Sequence, residues 1–251
     1  MARRSEKPYV QFAQIYDQIM ADVPYRLWMD YIASVWAAFS LSPTSVLDLA
    51  CGTGSLSLLL AQKGYQVIGL DLSSAMLEVA KRKLKADDLH VQLIEGDMRS
   101  FELHDPVDAA ICMFDSVNYL MESEDVKSTF RSVLKALRLG GLFIFDANTP
   151  LRLAMINKEI HLFEGSDHYL IWSDLWDPGR KWWRVRLTGF LKDNDGWVRF
   201  DEVHRERAFP VANLTSWLKE AGFEVLAVYD SCSFRPVSDE TSRAYYVAKK
   251  A

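Results

Sequence analysis

The chain has 251 residues, 49% of them hydrophobic and 25% charged, with a formal net charge of −5. That balance describes a globular protein with a sizeable core, one larger domain or a domain with an inserted cap. No apolar run reaches the roughly 18 residues of a membrane span, the charged start MARRSEKPYVQF lacks the apolar stretch of a secretory signal, and the mild acidity argues against a nucleic-acid partner.

Residues 8–40 read as two amphipathic helices, PYVQFAQIYDQIM and PYRLWMDYIASVWAAF, with aromatic and aliphatic residues at helical spacing. Asp22-Val23-Pro24 parts them, with Pro24 at a first helical position. Short apolar strands and helices then alternate: TSVLDLA; SLSLLLAQKG, stopping at Gly64; YQVIGLD; SSAMLEVAKRKLKA, capped by Ser73 or Ser74; HVQLIEGD; VDAAICMF; a helix from Ser123 with Val126, Phe130, Val133 and Leu137 on one face, ending at Gly140-Gly141; and GLFIFDAN. Nearly all-apolar strands alternating with helices predict a parallel sheet covered on both faces.

From about residue 152 the pattern changes to HYLIWSDLWD, KWWRVRLTGFLKD and WVRFDEVHRERAF, with turn signals at Asp177-Pro178-Gly179 and Asn194-Asp195-Gly196. These predict an inserted three-stranded antiparallel meander. The helix VANLTSWLKEAGF and the strands EVLAVYD and RAYYVAKK close the chain. The expected fold class is therefore α/β: a doubly wound, mostly parallel, seven-stranded Rossmann-like sheet with an N-terminal helical lid and an antiparallel β meander. The expected single domain, 1–251, divides into lid 8–40, core 41–150, cap 152–210 and closing segment 211–251.

The three cysteines, Cys51, Cys112 and Cys232, stand apart with no CxxC pair, as reduced thiols in a cytoplasmic protein do. The five histidines show no metal-binding spacing, so no metal is expected.

In an open α/β sheet, ligands sit beyond the carboxyl ends of the strands. VLDLACGTG lies there, and Gly52 and Gly54 let backbone N–H groups approach a ligand closely. Asp71 ends the second strand, where an acid accepts hydrogen bonds from both ribose hydroxyls. Glu95-Gly96-Asp97-Met98 follows the third strand on the same rim. The G-x-G-x-x-G pattern fails at Ser57, which favours a nucleoside without phosphates over a dinucleotide.

DLACGTG, GLDLS, EGDM and the strand ending in MFDS together resemble the successive motifs of class I S-adenosylmethionine-dependent methyltransferases, closely over about 8–150 and by layout beyond. The resemblance implies S-adenosyl-L-methionine as cofactor. Asp48 and the Ala50, Cys51, Gly52 and Gly54 turn would position its amino-acid part, and Asp71, Leu72 and Met76 its ribose. Asp97 and Met98 would read the adenine, while Met113 and Phe114 would close the site beside the sulfonium. Cys51 is expected to serve by its small size, since nothing near it in sequence lowers its pKa.

The string YVQFAQIYD…DVPY…W is similar to the lid of bacterial small-molecule methyltransferases, implying cofactor contact by Tyr16 and Trp28 and an acceptor pocket shaped partly by Tyr25; Phe12 fits the core better. Asp115-Ser116-Val117-Asn118-Tyr119 resembles a stretch of amino-sugar N,N-dimethyltransferases, with Asp115 replacing a serine. Tyr119 stands where those relatives place a His or Tyr near the acceptor, which implies an orienting group, and Asp115 and Asn118 join the acceptor side. Of the tryptophans Trp172, Trp176, Trp182, Trp183 and Trp197, cross-strand pairing explains most, and Trp172 is expected in the pocket. Strand alternation puts Glu202, His204 and Glu206 on one face and Arg205 and Arg207 on the other. Glu202 and His204 are acceptor-side candidates, His204 as a proton acceptor; Glu206 is expected to be solvated.

The expected activity is methyl transfer to N or O of a small polar metabolite by direct displacement, with that metabolite as partner and neither nucleic acid nor membrane. Methylation of RNA or protein, and cofactor binding without turnover, remain the alternatives. The acceptor and the oligomeric state stay open.

Overall fold

A computed structural model describes residues 3–4, 8–156, 158–194 and 196–251. At its centre, β2 (Ser45–Leu49), β3 (Gln66–Asp71), β4 (Gln92–Glu95), β5 (Val107–Cys112) and β6 (Leu137–Asn148) run parallel. With β11 (Phe223–Asp230) and β12 (Arg243–Lys250) they form a seven-stranded sheet of order β11-β12-β6-β5-β2-β3-β4, in which β12 is antiparallel to both its neighbours. The order reverses between β2 and β5, so the carboxyl ends of these strands open a crevice there.

The strands are apolar on both sides because helices cover both faces. On one face α5 (Ser123–Ala136) and α7 (Val211–Ala221) pack over a core containing Phe130, Phe143, Phe145 and Tyr246. The rings of Phe145 and Tyr246, on adjacent strands, stack with centroids 4.5 Å apart, a favourable cross-strand pairing. On the other face α2 (Tyr25–Ala38) and α3 (Ser55–Gln62) bury Ile32, Val35, Trp36 and Leu60. Helix α4 (Ser74–Ala86) follows β3, its cap supplied by Ser73, whose Oγ accepts from the Met76 N–H at 3.2 Å. Helix α5 ends at Ala136; Leu137 is already extended and opens β6, earlier than the Gly-Gly stop in the sequence suggested.

Between β6 and α7 stand a short helix, α6 (Pro150–Ala154), and an antiparallel meander of β7 (Ile160–Glu164), β8 (His168–Asp177), β9 (Trp182–Asp193) and β10 (Gly196–Arg207). It has one strand more than the sequence suggested. Four of the five residues of β7 are exposed, the hydrophobic Ile160 and Leu162 among them. The edge beyond β10 carries β1 (Arg3–Arg4), paired parallel. Of the turn signal at 194–196, Asp195 lies outside the described residues.

The lid departs most from expectation. Over 8–20, instead of one long helix, the chain makes a 3₁₀ turn (Phe12–Gln14) and a single helical turn, α1 (Tyr16–Ile19), preceded by Tyr9 at φ 59°. Pro24 caps α2 from just outside the helix.

Candidate functional site

The glycine turn closes on itself through left-handed residues: Ala50 at φ 57°, Gly52 at 55° and Gly54 at 73°. This backbone region costs little for glycine and more for other residues. A Cβ on Gly52 would meet open space, whereas one on Gly54 would meet Ala80 Cβ at 3.0 Å. Gly52 therefore faces the crevice, and Gly54 permits close packing of α3 on α4.

Two carboxyls sit under the turn. Asp71 Oδ2 accepts from the Gly52 N–H and Oδ1 from the Ser73 N–H, both at 2.8 Å. Each oxygen keeps a lone pair for a diol. Burial raises the Asp71 carboxyl above its ordinary value. Asp48 accepts from Ser57 Oγ at 2.6 Å, so the residue that breaks the glycine fingerprint has a polar duty. Burial, aided by the nearby Asp71 charge, pushes Asp48 up to about 7, against the opposing Ser57 hydrogen bond. Burial also pushes the Cys51 thiol well up, which suits a small filler better than a nucleophile.

These groups line one cleft of about 1180 Å³, bounded by sheet, lid and meander. It gathers the expected cofactor residues Tyr16, Trp28, Asp48, Ala50, Cys51, Gly52, Asp71, Leu72, Met76, Asp97, Met98, Met113 and Phe114, with Tyr25, Asp115, Tyr119, Trp172 and His204 from the acceptor side. Asp97 is also gripped by Arg99, whose Nη2 donates to Oδ2 at 2.6 Å.

Gly54, Asn118 and Glu202 do not line the cleft. The buried Asn118 is spent inside the fold: its Nδ2 donates to the carbonyls of Asn148 and Arg207, and its Oδ1 accepts from the Asn148 N–H. Glu202, 0% exposed, clasps the lid. Its Oε2 accepts from the Tyr9 N–H at 2.8 Å, and its Oε1 from Val10, Gln11 and Phe12 at 3.1, 2.7 and 3.1 Å. These donors form an anion nest of backbone amides. Burial pushes Glu202 up, but the His204 contact and these N–H groups outweigh it, and the carboxyl lies below its usual range. The same contacts explain why no long helix forms at 9–12.

The lid is tied to the core as well. Ser73 Oγ donates to the Tyr9 carbonyl and Thr53 Oγ1 to Asp17 Oδ1, both at 2.6 Å, and Lys83 pairs with Asp17 at 2.9 Å. Tyr9 thus bridges the two halves. Its ring lies edge-on to His204 at 4.6 Å, and its hydroxyl is 2.5 Å from that of Tyr119, which in turn is 3.3 Å from His204 Nδ1. Burial raises both phenols, so they stay protonated. His204 Nε2 lies 3.4 Å from Glu202 Oε2 but out of hydrogen-bond alignment.

At the far end of the cleft Asp174 Oδ1 accepts from Trp172 Nε1 at 2.8 Å and from Trp183 Nε1 at 3.0 Å, while Trp197 lies outside against Tyr169. Glu206 overturns the expectation of a solvated face, being 4% exposed and a lining residue. Strand alternation grouped it with Glu202 and His204, but nothing in the sequence said which face would be covered. Sequence reasoning also missed Arg243, Asp146 and Asn148. Phe114 and Asp115, both at positive φ (63° and 50°), turn the chain at the end of β5. This strained geometry is held by the Asp115 N–H donating to Asp146 Oδ2 at 3.0 Å, and by Arg243 on the Asp115 carboxylate at 2.9 Å.

The donor set fits a nucleoside carrying a sulfonium: a carboxylate with free lone pairs for a diol, a glycine turn open to the crevice, and aromatic faces of Tyr16, Trp28 and Phe114 for a cation.

The comparisons with known proteins agree. Residues 46–141 match the family model described as a methyltransferase domain. A protein of Geobacillus sp. (strain WCH70), named as a methyltransferase, is 32% identical over 96% of this chain and 99% of its own length. The crystal structure of an S-adenosylmethionine-dependent methyltransferase from Clostridium acetobutylicum superposes with a TM-score of 0.83 at 31% identity, covering 97% of this chain and 99% of that one. The dTDP-3-amino-3,4,6-trideoxy-alpha-D-glucopyranose N,N-dimethyltransferase of Streptomyces venezuelae is 31% identical over 55% of this chain and 57% of its own.

Proposed function

This chain belongs to the S-adenosylmethionine-dependent methyltransferases, and we propose that it methylates a nitrogen or oxygen of a small polar metabolite. The observation that carries the reading is the continuity of the cleft: it runs from Asp71 and Asp97, past Met113 and Phe114, to Tyr119, His204 and Glu206 under the lid and the meander. Cofactor and acceptor would thus share one chamber. The name of the Streptomyces venezuelae relative, an amino-sugar enzyme, supports an acceptor of that size.

In this reading Asp71 would hold the ribose hydroxyls, Asp97 and Met98 the adenine, and Asp48 with the Ala50–Gly54 turn the amino-acid part. Bound there, S-adenosylmethionine supplies a methyl carbon on a cationic sulfur that leaves as a neutral thioether. The chain's own contribution is mainly orientation, which can lower such a barrier by several kcal/mol. Tyr119, with its proton retained, would orient the acceptor by hydrogen bonding. The lid, fixed by Glu202, Ser73 and Thr53, would exclude water.

The test is S-adenosylhomocysteine formation with pooled low-molecular-mass metabolites. Formation with them supports the reading; formation only with RNA or protein replaces it.

A further inference from the structure

Three carboxyls cluster at the acceptor end of the cleft, and one guanidinium pairs with two of them. Arg243 donates to Asp146 Oδ2 and to Asp115 Oδ1, each at 2.9 Å. Asn148 Nδ2 donates to Asp115 Oδ2 at 2.8 Å and lies 3.5 Å from Glu206 Oε2, so the two carboxyls share one amide. Among the described residues Glu206 has no ion-pair partner, and it is 4% exposed. An uncompensated buried carboxylate is costly.

A separate observation points to a ligand. Asn148, also 4% exposed and lining the cleft, has an Oδ1 with no hydrogen-bond partner. Such orphaned acceptors are rare in native interiors. Glu206, Asp115 and Asn148 Oδ1 together offer acceptors, and what they lack is a cationic donor. An ammonium ion has both the charge and the N–H groups.

Resting on the reading of a small-metabolite methyltransferase, we propose that the acceptor is an amine bound as its ammonium ion by Glu206, Asp115 and Asn148, and that Glu206 takes its proton. The N–H bond breaks, its electron pair stays on nitrogen as the lone pair needed for attack, and the proton passes to Glu206 Oε2. A carboxylate is a competent base for an ammonium, whose pKa is about 10, but not for an alcohol, which ionises nearer ~16. The site therefore selects nitrogen over oxygen. Burial and the neighbouring Asp115 charge hold the Glu206 carboxyl well above its usual range, which makes it a stronger base toward an ammonium proton. Facing Glu206 are Asp115 and Tyr119 after β5, Asn148 on β6, Arg243 on β12, Tyr9 of the lid, and His204 on its own strand.

The test uses the full chain saturated with S-adenosylhomocysteine, and two probes that differ in one group: ethanolamine, with –NH3+, and ethylene glycol, with –OH. Ethanolamine is expected to raise the melting midpoint of the wild type but not of Glu206→Gln, and ethylene glycol to shift neither. No ethanolamine shift in the wild type, or an equal shift in both proteins, overturns the assignment. The same runs read the stabilisation by S-adenosylhomocysteine: its absence overturns the methyltransferase reading, while its presence without an ethanolamine effect overturns the amine site alone. A second readout needs no ligand. Glu206→Gln should melt above the wild type near about pH 8, with the gap closing near about pH 5; a pH-independent gap overturns the ionisable role. If Glu206→Gln does not fold, Asp115→Asn, removing the other half of the pair, carries the ethanolamine comparison.

Discussion

Glu202 Oε1 lies 2.7 Å from the backbone nitrogen of Gln11, across 191 residues of chain. One carboxylate of the meander thereby collects four N–H groups at the start of the lid, and the roof of the cleft is fixed from the side opposite the sheet.

Glu202→Ala strands those donors in a buried setting and is expected to cost about 3 kcal/mol of stability, measured by urea unfolding. Cofactor affinity should fall with it, because Tyr9 and Tyr16 lose their anchor. The folded carboxyl lies below its ordinary value, so its contribution is present above the unfolded pKa and lost as pH falls through the folded one. The advantage of the wild type over Glu202→Gln should therefore shrink under acid. An unchanged stability in Glu202→Ala would contradict the clasp.

Asp71→Ala removes a charged acceptor from the proposed ribose site and frees the Gly52 and Ser73 N–H groups. S-adenosylmethionine should bind about 1–3 kcal/mol more weakly, roughly five- to 150-fold, as read by calorimetry. Unchanged affinity would refute the ribose assignment.

These two carboxylates also show what a sequence can and cannot reveal. Asp71 was legible because it ends an apolar strand at a fixed distance from a glycine turn, and both features are local. The parallel strands, the Ser73 cap and the hairpins of the meander were legible for the same reason. Glu202 was legible only as a member of a strand face: its partners lie about 190 residues away, and they also replace the helix that the pattern of 8–20 suggested. Glu206 and Arg243 were hidden likewise, since alternation assigns a face without saying what covers it. The edge strand β7 is only five residues long, too short a run to stand out from the loop around it.

Asp48, held by burial at about 7, destabilises the fold once ionised. Its folded pKa lies above its unfolded value, so the associated stability is full at low pH and lost as pH rises toward 7. Asp48→Asn keeps an acceptor for Ser57 and should melt higher than the wild type above neutral pH, by an amount on the order of 2–4 kcal/mol, with the difference vanishing near about pH 4. Calorimetric melting across that range checks it; a gap of the opposite sign would contradict the assigned environment.

Tyr119→Phe removes the hydroxyl between Tyr9 and His204 without touching the proposed cofactor groups. S-adenosylhomocysteine affinity should stay the same while turnover drops about tenfold, the loss of one orienting hydrogen bond of about 1.4 kcal/mol. Equal turnover in the two proteins would make Tyr119 only structural.

The most direct measurement of the central claim is transfer of an isotopically labelled methyl group from S-adenosylmethionine, with RNA, protein and low-molecular-mass cell fractions offered side by side and resolved by mass spectrometry. The label should enter a low-molecular-mass product, with S-adenosylhomocysteine formed in equal amount. Label confined to the RNA or protein fraction, or no transfer from a cofactor that binds, would contradict it.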